Sequence, residues 1–272
     1  MKKCRFTVVS AMFGLAFFSF NESALAQGRA VAKIEQAKAQ LIVGPETDAG
    51  TVQAIVSIEM ADGFKTYWHV PGDGGLPPLF KVDGEPVEVR LPAPTRFKDQ
   101  YGQSIGYKAE VTMAFELPAP TDGVVDMDMI VGVCAEICIP FIANLSAPVP
   151  PAMMPRAKFA IADAFDALPG AFDDELSVTD ATVSTGEDGA LDLVANIVVP
   201  SDAGLEDARV FAWLPGRDEF FVHAAQLTRD GKMVAARMPV TTELSPEILA
   251  GREVQFTLIS ADQSVEGVVK LH

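Results

Sequence analysis

Hydrophobic and polar positions alternate along most of this chain. From Thr51 to Met60, the residues Val52, Ala54, Val56, Ile58 and Met60 fall on one side of a period-two repeat, which predicts a half-buried strand. Val87, Val89 and Leu91 repeat the pattern, as do Val111, Met113 and Phe115, and Val124 to Val133 is a further β-branched run. Asp62-Gly63, Asp73-Gly74, Asp83-Gly84 and Asp122-Gly123 punctuate these runs as turns. Leu191 to Val199, Ala208 to Leu214, Phe220 to Leu227, Met233 to Met238 and Val254 to Ile259 form a second series, with turns at Asp188-Gly189 and Asp230-Gly231. Many short strands at regular spacing predict an all-β protein built of two immunoglobulin-like antiparallel β-sandwiches.

The two series are separated by a different texture. Pro148, Pro150, Pro151 and Pro155 crowd one stretch, and Lys158 to Leu168 then carries apolar residues at helical spacing before Pro169-Gly170 stops it. The division that follows is a first β domain over 27–150, a proline-rich linker with a short helix over 151–174, and a second β domain over 175–272. Ser245-Pro246-Glu247 has the form of an N-cap and first turn of a short helix.

The N-terminus belongs to neither sandwich. Lys2, Lys3 and Arg5 precede an apolar run from Phe6 to Phe20, and Ser23-Ala24-Leu25-Ala26 supplies a small-x-small site, which predicts an export signal over 1–26 cleaved after Ala26. The run is shorter than the roughly 20 residues of a membrane span. No second stretch of comparable hydrophobicity follows, so the expectation is a periplasmic protein with no membrane span in the mature chain. Cleavage takes away three cations and Glu22, moving the formal charge from −16 to −18. That balance argues against nucleic acid or an anionic membrane as partner, since both call for clustered Lys and Arg.

Export changes how the cysteines are read. Cys4 leaves with the signal, and Cys134 and Cys138 remain, in Val131-Gly132-Val133-Cys134-Ala135-Glu136-Ile137-Cys138-Ile139-Pro140. Exported thiols normally become disulfides, yet closing so short a loop contributes only about 2 kcal/mol, against about 3 for a 15-residue loop. The pair therefore suggests thiol–disulfide exchange, in which one thiolate attacks and a neighbouring thiol resolves the mixed disulfide. An inert local clip is the plainer alternative. Glu136 between the cysteines disfavours a thiolate, which argues against a strongly activated nucleophile. It fits a pair that is itself attacked as a disulfide or that acts slowly until docked. No cation stands beside it in sequence, and Lys98 and His69 are the candidates for one brought in by the fold.

Two other stretches are dense in special residues. In Gly63 to Pro78, Tyr67, Trp68 and His69 lead into a loop whose glycines and prolines specify the backbone tightly. Such a loop shapes a binding face, or is only a strand with an ornate turn. In Phe97 to Tyr107, a polar glycine-containing loop carries Asp99, Gln100, Tyr101 and Tyr107. Tyr67-Trp68, Pro71 to Pro78, Pro92-Ala93-Pro94-Thr95-Arg96-Phe97, Ser104-Ile105-Gly106-Tyr107 and the Cys134-x3-Cys138-Ile139-Pro140 run occur in that order. Together they resemble the periplasmic N-terminal domain of the DsbD-type thiol:disulfide interchange proteins, with a nearer likeness to the suppressor-of-copper-sensitivity (ScsB) branch.

The resemblance covers residues 30–150 and reaches the second domain only loosely. It implies an immunoglobulin-like domain in which Cys134 and Cys138 take electrons from a thioredoxin-like donor, or a DsbD/CcdA-like membrane protein, and pass them to exported substrate proteins, as in cytochrome c biogenesis. It implies no cofactor. The family's cap over the cysteines maps to Asp99–Tyr101, where Gln100 stands in place of the expected phenylalanine, so Tyr101 or Phe97 takes over that role. Cys138, beside Ile139-Pro140, is the sulfur attacked first on this likeness alone. The multi-helix membrane domain and thioredoxin domain of full-length members do not follow in this sequence, and the expected electrons come from a separate protein.

Other classes stay open on the residues. Soft Cys and Met ligands suit Cu(I), and Met127 and Met129 share a strand face leading to Cys134, with Met113 nearby, while the likeness also raises copper tolerance. Against a metal site, the mature chain has only His69, His223 and His272 and nothing at zinc-site spacing. The expectation is no metal. No Gly-x-Ser-x-Gly hydrolase motif is present. The second domain, without cysteine, reads as an interaction module, in which Trp213-Leu214 and Phe220-Phe221 fill the core or form a contact surface.

Overall fold

The computed structural model describes residues 28–99, 102–186, 189–200, 204–217, 220–231, 233–261 and 263–272. The first half holds β1 (Arg29–Lys33), β2 (Ala37–Glu46), β3 (Thr51–Met60), β4 (Lys65–Gly72), β5 (Leu79–Val82), β6 (Glu85–Pro86), β7 (Thr95–Asp99), β8 (Gly102–Lys108), β9 (Glu110–Pro118), β10 (Val124–Cys134) and β11 (Cys138–Pro148). After α1 (Pro155–Asp166) come β12 (Gly170–Ala171), β13 (Ser177–Thr185), β14 (Leu191–Val198), β15 (Arg209–Trp213), β16 (Phe221–Val222), β17 (Gln226–Asp230), β18 (Met233–Thr241), α2 (Pro246–Leu249), β19 (Glu253–Ser260) and β20 (Gln263–Lys270). The result is an all-β protein of two sandwiches.

In the first sandwich a sheet in the order β1-β2-β3-β9 faces a larger one in the order β6-β5-β10-β4-β8-β7, with β11 paired to β10. The alternation dictates the facing: Val52, Ala54, Val56 and Ile58 of β3 meet Val125, Met127, Met129 and Val131 of β10, all at 0–1% exposure. Burying each of the Val, Ile and Met side chains contributes about 1.5–3 kcal/mol before entropy is counted. Asp126 and Asp128, at the intervening positions, are exposed. In the second sandwich the sheets run β12-β20-β19-β15 and β13-β14-β18-β16, with β17 on β18, and Phe220, Phe256, Leu193, Val234 and Met238 fill the space between.

The helix expected near 158–168 forms as α1, with Pro155 in its first turn. It is more than a spacer. Ala157, Ile161 and Ala164, together with Leu168, cover Ile42, Ile55 and Ala114 on the outer face of the β1-β2-β3-β9 sheet. That sheet is therefore buried on both sides over part of its area.

Two expected strands come out differently. Val87 to Leu91 is not a strand: Val89 and Leu91 are buried, but only Arg90 bridges, trading backbone bonds of 2.9 Å each way with Ala114. Pro86, Pro92 and Pro94 bracket the segment and lack the donors a ladder needs. Phe220 to Leu227 breaks at His223–Ala225 into β16 and β17, both paired with β18.

Candidate redox site at the hairpin tip

The run that is apolar on alternate positions ends in a cysteine pair. β10 and β11 form an antiparallel hairpin in register from Val124↔Pro148 to Cys134↔Cys138, so the two cysteines are the last rung before the turn. They are disulfide-bonded, with Cα atoms 4.1 Å apart. Ala135, Glu136 and Ile137 make the exposed turn, closed by the Ala135 amide donating to the Ile137 carbonyl at 3.1 Å. The sulfurs differ in access. Cys134 is 1% exposed, held between β11 and Lys65 of β4, whereas Cys138 is exposed.

Beside them lies a cavity of about 230 Å³ lined by Lys65, Tyr67, Ser104, Glu136 and Cys138, with Gly74, Gly75 and Gly102 among its walls. Tyr67 Oη stands 3.3 Å from Cys138 Sγ. A disulfide sulfur carries no hydrogen, so the phenol is the donor. The Tyr67 ring is 3% exposed and needs the loop behind it to lack a side chain: a Cβ on Gly75, at φ +144°, would stand 2.5 Å from that ring. Lys65 Nζ donates to Ser104 Oγ at 2.9 Å. The two loops singled out in the sequence are latched together, because the Gln103 amide donates to Asp73 Oδ2 at 2.7 Å and the Asp73 amide to the Gln103 carbonyl at 2.9 Å.

The sequence-derived candidates do not all gather here. Cys134, Cys138 and Tyr67 do. Asp99 is the last residue of β7, backbone-paired with Gly102, while Gln100 and Tyr101 lie outside the described residues. Phe97 pairs with Ser104 and lies under Lys108, whose Nζ is 4.6 Å from the ring centre. Tyr107 is buried in the sandwich and donates to the Pro92 carbonyl at 2.7 Å; burial and the nearby Glu266 carboxylate hold its phenol well above the usual range.

Trp68 and His69 face the second domain instead. Trp68 meets Phe211 and Trp213 edge-on at 5.8 and 6.3 Å, and His69 stacks on Trp213 at 4.2 Å with planes 9° apart. Burial lowers the His69 pKa to about 4, so the ring is neutral near pH 7. Arg96 reinforces this junction, donating to the Val222 carbonyl at 3.1 Å and lying 5.1 Å over the Phe211 ring. The cation that lines the cavity with Cys138 is Lys65, which sequence reasoning passed over in favour of Lys98 and His69; its place one step before Thr66-Tyr67 on a strand was the available signal. The thioethers of Met113, Met127 and Met129 are all 0% exposed in the core, and among the described residues no group of three or more His, Cys, Asp or Glu is arranged to hold a metal.

An all-β, two-sandwich protein with a half-exposed disulfide at a hairpin tip is the class these features define. Residues 32–150 match the family described as "Thiol:disulfide interchange protein DsbD, N-terminal". The crystal structure of the N-terminal periplasmic domain of ScsB from Proteus mirabilis has the same fold, with a TM-score of 0.74, 17% identity, and coverage of 90% of this chain and 98% of that one. No curated protein matches the chain.

Proposed function

We propose that this is an exported thiol:disulfide exchange protein, a protein-disulfide reductase in type, whose Cys134–Cys138 couple carries electrons from a thioredoxin-like donor or a DsbD/CcdA-like membrane protein to exported substrate proteins. The observation that carries the reading is the asymmetry of the disulfide, with Cys138 open to solvent at a cavity mouth and Cys134 1% exposed. A donor thiolate reaches only Cys138. Its attack breaks the Cys134–Cys138 bond, joins donor sulfur to Cys138, and leaves the electron pair on Cys134 as a thiolate. The donor's second thiolate then attacks the donor's own sulfur, the donor departs as a disulfide, and Cys138 is released as a thiolate beside the Tyr67 hydroxyl. The protein is now the dithiol, and the same steps in reverse reduce a substrate disulfide.

The export signal at 1–26, cleaved after Ala26, fits a periplasmic site of action, and no helix among the described residues is long and apolar enough to cross a membrane. The second sandwich positions the partner relative to the hairpin tip. A redox titration with thiol trapping tests the whole reading. A reversible two-electron transition at roughly −120 to −270 mV is expected; a bond that resists reduction to below about −300 mV would make the pair a structural clip.

A further inference from the structure

The exchange proposed above creates a thiolate at a buried position, and Glu136 is the one charge that the sequence itself sets between the two sulfurs. A thiolate at Cys134, 1% exposed, is disfavoured by desolvation, and the Glu136 carboxylate disfavours it further. Something has to offset both. Tyr67 serves Cys138, at 3.3 Å from its sulfur.

We infer that Lys65 is the electrostatic partner of Cys134, holding the positive charge that makes this sulfur a competent leaving group. Three observations place it there. Lys65 is the residue that β4 pairs with Cys134 in register, and directly paired antiparallel residues bring their Cα atoms to about 4.5–5.5 Å. Its side chain reaches into the cavity that Cys138 also lines, and its Nζ is fixed by donation to Ser104 Oγ at 2.9 Å. The ammonium is half-buried and so acts through a lower effective dielectric than bulk water, whereas Glu136 sits in an exposed turn and is screened.

The other charges around the site are committed elsewhere. Lys108, the β8 partner of Lys65, lies over Phe97, and the Asp73 carboxylate accepts from the Gln103 amide. When the donor attacks Cys138, negative charge therefore develops on Cys134 beside Lys65, and in the second step on Cys138 beside Tyr67. Each sulfur has its own helper, drawn from alternate positions of one strand.

The inference rests on the exchange reading, and the test separates the two. Thiolate formation in reduced wild type, Lys65→Met and Lys65→Arg would be followed by ultraviolet absorbance across pH 4–10, which reads the buried sulfur as well as the open one, and the oxidised forms reduced with dithiothreitol at pH 7. Lys65→Met should raise the pH at which the first thiolate appears and slow dithiothreitol reduction about three- to tenfold, each unit of pKa being a factor of ten in thiolate. Lys65→Arg should restore the wild-type profile to within about twofold, which a purely structural bond to Ser104 does not require. Should Lys65→Met fail to fold, Lys65→Gln, which keeps a donor for Ser104, carries the same expectation. Superposed pH profiles for wild type and a folded uncharged variant would overturn the role of Lys65 while leaving the exchange reading intact. A wild-type disulfide that resists reduction altogether would remove both.

Discussion

The two sandwiches share an architecture and differ in what their strands do at the ends. In the first, β10 and β11 carry the alternation to the last rung and finish in a disulfide with one open sulfur. In the second, β15 keeps the alternation but turns both faces to packing. Val210 and Ala212, with Leu214 just past its end, join its own core, while Phe211 and Trp213 reach across to Trp68 and His69. The same period-two pattern thus gives a disulfide-bearing tip in one domain and a face packed on its neighbour in the other. What separates them is the residue placed at the exposed end of the repeat.

Breaking that division should have its largest effect at the tip. Cys138→Ser or Cys134→Ser is expected to abolish reversible reduction, a loss beyond about 100-fold in dithiothreitol-dependent turnover, with the fold kept as judged by far-UV circular dichroism. A core change in the other domain sharpens the contrast: Phe256→Ala should cost about 3–5 kcal/mol in urea unfolding and leave the midpoint potential of the cysteine pair where it is. If the potential moves as well, the domains are not chemically separate.

The junction gives intermediate effects. His69 has a folded pKa of about 4 against an ordinary 6.5, so the native state binds fewer protons than the unfolded chain between these values. The stability this contributes is present above pH 6.5 and lost as pH falls towards 4, by at most about 3 kcal/mol. Thermal melts from pH 7 to 4 should show that loss, and His69→Gln should flatten it. Trp213→Ala, which removes the ring stacked on His69, should cost about 2 kcal/mol and speed limited proteolysis between the domains, with dithiothreitol reduction unchanged within about twofold. The smallest effect is expected for Tyr67→Phe. Losing one hydrogen bond of about 1 kcal/mol to the departing Cys138 sulfur should slow the second step of exchange a few-fold in stopped-flow traces.

Much of this was legible wherever one side of a strand faces the core and the other faces water. β3 and the Val124–Val133 run read directly for that reason. β2 hid itself, because α1 buries Ile42 from outside and turns Leu41-Ile42-Val43 into an unbroken apolar run. β13 hid through a bulge between Val178 and Asp180, which shifts the period midway. At the site, the cysteines announced themselves by spacing, and Tyr67 by its company of aromatics and glycines. Lys65 did not, since its relation to Cys134 is a matter of strand pairing across about 70 residues of chain. Trp68 and His69 read as neighbours of Tyr67 and are so in sequence, but successive side chains on a strand point opposite ways or run on past the site. The aromatic pair Phe220-Phe221 divides for the same reason, Phe220 into its own core and Phe221 towards the first domain.

The placement of α1 bears on where this protein can be cut. The family match stops at residue 150, before the helix begins at Pro155. A shortened version ending at that border would keep every strand of the first sandwich and both sulfurs, yet strip the lid from Ile42, Ile55 and Ala114. Those three side chains would then face water as a bare oily spot on an otherwise acidic molecule, inviting self-association. The family-matched segment and the segment that keeps this face covered end at different residues, and an excised first sandwich needs the stretch through Leu168 to keep those side chains buried as they are in the whole.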